Sequence, residues 1–160
     1  MKKIYSLVAA LLVAMVVMVS CASENTKNVS ALLDAVKASD VATAKSLSEK
    51  LYAVKAQLTT DESCGLAAGY LGLVAIDEAN KADYSQKVVE IVDAVNAKDA
   101  EGVKKFAAAS KVDLVAAVDG IKAAQAAAQQ AAEAAQQAAE AAEAAEGEAA
   151  EGEAAEGDAE

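Results

Sequence analysis

The chain has 160 residues, a formal charge of −11, and no His, Trp or Pro. That length holds one small domain with appendages rather than two ordinary domains. Without His and with only two Cys, transition-metal ligation and Ser–His or Cys–His catalysis lack their usual side chains, and so acidic a surface, with few aromatic rings, opposes nucleic-acid binding.

Hydrophobic residues make up 55% of the chain, but much of that fraction is Ala, which buries little area per residue. Any core is therefore thin, built from Leu, Val and Ile with a few rings. Abundant Ala, Lys, Glu and Gln without Pro favours helix throughout. The expected fold class is all-α: a small bundle of two related helical hairpins around a central helix, followed by a long Ala/Gln/Glu-rich helix and a disordered acidic tail.

The first element is a targeting segment. Met1-Lys2-Lys3 is a short positive stretch, followed by 13 uninterrupted apolar residues from Leu7 to Val19. That length suits the apolar region of a signal peptide, about 7–15 residues, and falls short of the ~20 needed to span a bilayer. The run closes on Met18-Val19-Ser20-Cys21, with Ser20 small and polar residues following. This pattern resembles the lipobox of bacterial lipoproteins, with Met18 where Leu is commonest. The relaxed form is similar to that of small spirochaetal outer-membrane lipoproteins, which are commonly surface antigens.

The resemblance implies a signal peptide over 1–20, cleavage between Ser20 and Cys21, and diacylglycerol (palmitate-type chains) plus an N-acyl group on Cys21. It also implies a lipid-anchored product in the bacterial envelope, with the bilayer as partner and the outer membrane as location. Buried methylenes contribute about 0.8 kcal/mol each, so two or three chains hold a protein where one holds it marginally. Two alternatives stand beside this one. Ser20-Cys21-Ala22 also fits ordinary signal peptidase, which would release a soluble helical binding module, and the segment could stay uncut as an anchor.

Residues 21–28 then form a lipidated terminus and tether, and residues 29–122 a helical domain. Within it, residues 32–51 align without gaps on residues 91–110. Asp34, Ala35, Val36, Ala38, Asp40 and Lys45 recur as Asp93, Ala94, Val95, Ala97, Asp99 and Lys104. Each copy predicts a helix, a tight turn and a second helix, with Asp40 and Asp99 as N-caps. Val29, Leu33 and Val36 mark one apolar face; Ala44, Leu47, Leu51, Val54 and Leu58 mark the next.

Between the copies, Thr59 and Glu62 have the spacing of a capping box. Gly65, Gly69 and Gly72 put small residues on successive turns of a buried central helix, where a neighbour can approach closely. Asp83 and Gln86, then Ser110 and Asp113, signal further helix starts. Cys64 lies inside the central helix, either as a buried free thiol or, being odd in an exported protein, as an intermolecular disulfide partner. The pairs Asp61-Glu62 and Asp77-Glu78 read as caps and solvated faces rather than an acid–base site, and the sequence implies no cofactor, metal or catalytic residue.

From residue 123 the composition changes. Glu133 and Glu140, and the pairs Gln129-Gln130 and Gln136-Gln137, repeat at seven residues, with Ala at 127, 131, 134, 138, 141 and 145. A helix over 123–146 is expected, its Ala stripe too small to drive association strongly. A Gly-punctuated acidic tail over 147–160 follows. Self-association as an envelope spacer, or binding of a protein partner, remains open.

Overall fold

The computed structural model describes residues 23–151, with side chains through residue 138. The expected signal segment, Ser20, Cys21 and the end of the acidic tail from residue 152 lie outside the described residues.

The described residues form six α-helices and no strand: α1 (Glu24–Lys37), α2 (Val41–Ala53), α3 (Thr60–Ile76), α4 (Lys81–Lys98), α5 (Ala100–Ser110) and α6 (Leu114–Glu151). Short 3-10 turns at Lys55–Gln57 and Glu78–Asn80 carry the chain into and out of α3. The all-α class expected from composition is the class observed.

The chain divides into two compact units, Met1–Ile121 and Lys122–Glu160. In the first, α3 is the central element, touched by α1, α2, α4 and α5. Every residue from Glu62 to Leu73 is buried, which is why this helix is apolar all round rather than on one stripe. Side-chain pairs give the directions. Gly65, Gly69 and Gly72 meet Val29, Leu32 and Val36 in the same order, so α1 runs parallel to α3. Tyr70 reaches back to Ser48, Tyr84 to Asp77, and Asp99 lies against Thr60, so the chain alternates up and down through five helices. The two hairpins, α1–α2 and α4–α5, are therefore inverted relative to one another across α3.

The repeat in the sequence is also a repeat in burial. Leu32 and Ile91, and Ala44 and Val103, occupy equivalent places in the two copies, as do Val29 and Val88 just ahead of them at the same offset, and all six are buried. Both expected aspartate caps form: Asp40 accepts from the Thr43 amide and Asp99 from that of Gly102. Leu114 and Val118, on the first turns of α6, complete the core beside Val112.

Several boundaries differ from expectation. Residues 24–28 are the opening turns of α1 rather than a tether, because the Ser23 hydroxyl accepts from the Thr26 amide and caps the helix. On α1 the expected Val29 and Val36 are buried, but Leu32 and Ala35 complete that face while Leu33 is only partly buried. α2 stops at Ala53, so Val54 and Leu58 lie on the 3-10 connection, which turns the chain back toward the start of α3. α4 opens at Lys81, ahead of the Asp83 signal, and Asp83 instead pairs with Lys87 one turn on, at 2.7 Å. Asp113 does cap α6, accepting from the Ala116 amide. That helix passes through residue 123 and continues to Glu151, beyond the expected tail boundary at 147. Within the second unit, every residue from Lys122 to Ala138 is exposed.

The α3 glycines give a direct test. A Cβ on Gly69 would sit 2.4 Å from Leu32 Cδ2 and 2.7 Å from its Cγ, and Leu32 is fully buried. Gly69→Ala is expected to destabilise by ~1–3 kcal/mol through overpacking, despite a propensity gain approaching ~1 kcal/mol. Gly120, with nothing within 4 Å of its notional Cβ, should show only the gain. Thermal melts of Gly69→Ala and Gly120→Ala should therefore shift in opposite directions.

Candidate functional site

The first described residue, Ser23, lies two positions after Cys21 and is bonded into a polar cluster at one end of the bundle. Three helix N-termini meet there, each with its own cap: Ser23 on α1, Thr59 on α3 and Asp99 on α5. The clustering follows from chain direction. α1, α3 and α5 all start at this end because each hairpin reverses the chain once.

Glu62 is the centre of the cluster. Thr59 and Glu62 form the full capping box, the Thr59 hydroxyl accepting from the Glu62 amide and the Glu62 Oε2 accepting from the Thr59 amide at 3.0 Å. The other carboxylate oxygen, Oε1, accepts from the Ser23 hydroxyl and from the Thr26 hydroxyl at 2.8 Å. One carboxylate thus caps its own helix and binds the first turn of α1. Burial by itself would raise the Glu62 pKa, but the bonds from Ser23, the Thr59 amide and Thr26 together outweigh it and hold the carboxyl below its ordinary value.

Asp99 plays the corresponding part for α5. Its Oδ1 accepts from the Gly102 amide and its Oδ2 from the Thr60 hydroxyl, both at 2.8 Å. The amide bond first, then the Thr60 bond, lowers its pKa. Gly102 leaves room for this pair, since a Cβ there would press on the Asp99 carboxylate and the Thr60 methyl, and one of them would have to shift. An open cleft remains between Thr59, Asp61, Glu101 and Lys105. Its Thr60 and Asp99 side chains are already engaged in joining α3 to α5.

Cys64, one turn further along α3, is a free thiol and 2% exposed. Burial, with the nearby charges of Asp61 and Asp99 adding to it, pushes the thiol up to about 12. A protonated, enclosed thiol is neither an effective nucleophile nor accessible to a partner chain, so of the two readings open for Cys64 the structure favours the buried thiol. Of the other acidic pair, Asp77 is more than a solvated face. It accepts from Asn80 and from the Tyr84 hydroxyl at 2.8 Å each, and these two bonds lower its pKa.

The sequence reading missed the tyrosines. Tyr52 meets Tyr70 edge-on at 6.1 Å, and Tyr70 meets Tyr84 at 5.9 Å, joining α2, α3 and α4. The Lys55 ammonium stands 3.9 Å from the Tyr52 centroid and pairs with Glu90, whose carboxylate also accepts from the Tyr52 hydroxyl. The partners are far apart in sequence, so no local pattern signals them. Among the described residues no group of three or more Cys, Asp or Glu side chains is placed to hold a metal ion, and no helix is long and apolar enough to cross a membrane. No family model, curated protein or solved structure matches the chain.

Glu62 predicts a pH dependence. Its lowered native pKa means its stabilisation is present above the unfolded value, near 4.5, and is lost as pH falls through the native one. Glu62→Gln should be less stable than wild type by ~1–3 kcal/mol at neutral pH, and the gap should narrow in denaturation series carried below that value. For Cys64, alkylation in native buffer should be slow and non-reducing electrophoresis should show no dimer.

Proposed function

We propose that this chain is a bacterial envelope lipoprotein, held at a membrane by acylated Cys21, whose helical body has a structural or interaction role rather than a catalytic one. The observation that carries the reading is the order of residues at the N-terminus: Lys2-Lys3, the 13 apolar residues Leu7–Val19, then Met18-Val19-Ser20-Cys21. Each part fits one step of export, acylation and cleavage.

The body is compatible with such a role. It carries 15 acids and 12 Lys between Ala22 and Lys122, and most of its net negative charge lies beyond, with ten acids and no Lys from Ala123 onward. A near-neutral body beside an acidic extension suits a surface that meets partners through its exposed part. The outer membrane is the proposed location, and display toward a partner protein the proposed role.

The test is acyl labelling in a diderm bacterial host. Wild type should incorporate labelled fatty acid and migrate as a cut form, whereas Cys21→Ser should lose the label and accumulate as precursor. A cleaved, unlabelled wild-type product would mean release as a soluble module and would end the anchoring proposal. Protease treatment of intact cells, followed by mapping of the acidic extension, should remove that extension if it is displayed outside.

A further inference from the structure

Ser23 caps α1 and is bonded to Glu62, so the described fold reaches to two residues from Cys21. A flexible stretch from Cys21 to Val29 could reach ~28 Å, whereas the step from Cys21 to Ser23 reaches at most ~7 Å. That is less than the ~10 Å diameter of one helix. A body on the longer lead could turn any face to a bilayer. The shorter one keeps the end that holds the lead next to the bilayer.

We infer that the Glu62–Ser23–Thr26 latch fixes the orientation of the bundle on the membrane, holding the end where α1, α3 and α5 begin against the lipid headgroups. The opposite end, where α1 and α3 finish, then faces away by about the length of α3, 17 residues or ~25 Å. The surface presented to the bilayer comprises Thr59, Asp61, Glu101 and the α1 opening; the surface offered to a partner is the other end, around Asp77, Glu78 and the Ser39 turn.

The latch has the chemistry this task needs. Two hydroxyls from α1 bond one carboxylate of α3, so the lead is tied to the most buried helix of the domain rather than to a peripheral one. Glu62 is itself buried, and the Ser23 cap removes the fraying turn that would otherwise lengthen the lead. The occupant is a lipid surface because the chain leading out of this end is the segment proposed to carry the acyl groups.

The inference rests on acylation of Cys21, and the experiment separates the two. Full-length acylated protein, carrying a fluorophore on Glu101→Cys or on Glu78→Cys, is placed on vesicles of phosphatidylethanolamine and phosphatidylglycerol containing a headgroup-linked nitroxide. Quenching at Glu101→Cys should exceed that at Glu78→Cys several-fold. Glu62→Ala should reduce the contrast by turning residues 23–28 into a tether. The double variant Ser23→Ala/Thr26→Val should do the same while leaving the α3 capping box intact, which guards against misfolding of the first variant; circular dichroism checks both. Equal quenching at the two positions of acylated wild type, or a contrast unchanged in both latch variants, overturns the orientation. Absence of acyl mass on Cys21 overturns the lipoprotein reading and the orientation with it.

Discussion

The architecture depends on how closely α1 can approach α3. With so much of its apolar content in Ala, the chain has few large side chains to fill a gap between helices, and a wide separation would leave α3 solvated. Gly65, Gly69 and Gly72 remove the obstacle: Val29, Leu32 and Val36 occupy the space a Cβ would need at each. Small residues on one helix and branched ones on the other interdigitate, and close packing recovers dispersion contacts that bulk alone does not supply here. The cost is three glycines inside a helix, each unfavourable by ~1 kcal/mol in propensity. It is offset because α3 is buried along almost its whole length and draws its stability from four neighbours.

Burying a helix so completely creates a second problem at its start, where free amides have no partner within the helix. The segment Thr59–Glu62 solves it and reuses the solution. Thr59 and Glu62 satisfy one another's amides, Glu62 then accepts from α1, and Thr60 donates to the Asp99 that caps α5. Caps usually end one helix, but here they also join helices. Because the two hairpins are inverted across α3, only one repeat-derived aspartate can take part. Asp99 lies at the α3 start and bonds across to Thr60, whereas Asp40 lies at the other end and bonds within its own turn.

The legible features were those whose cause is local in sequence. Helical class follows from residue propensity, and the Asp40, Asp99 and Asp113 caps and the Thr59/Glu62 box follow from residue type three positions before a free amide. The close approach at Gly65, Gly69 and Gly72 was legible from spacing. The Ser23 cap is not legible in this way: no Glu or Gln stands three residues later to complete a box, and Glu62, 39 positions on, supplies the carboxylate. The tyrosine stack and the Glu90–Lys55 pair share that character, since each joins residues of different helices. The α4 start is not legible because Asn80 gives no side-chain cap, and Asp83, the signal the sequence does carry, is an acid of the first turn rather than the boundary.

The same distinction explains why residues 24–28 of the expected tether are helix. SENTKN is polar and, judged alone, resembles a solvated lead. Its helicity comes from two sources that composition does not reveal: capping at Ser23, and a carboxylate brought from α3 by the fold of the whole domain. In the proposed anchoring this coupling has a mechanical consequence. A lipid anchor worth about 0.8 kcal/mol per buried methylene holds position but not orientation, and orientation requires a lead shorter than the body is wide. By extending α1 to within two residues of Cys21, the domain converts a point attachment into a directed one, and it does so with hydroxyl–carboxylate bonds whose strength depends on Glu62 remaining ionised.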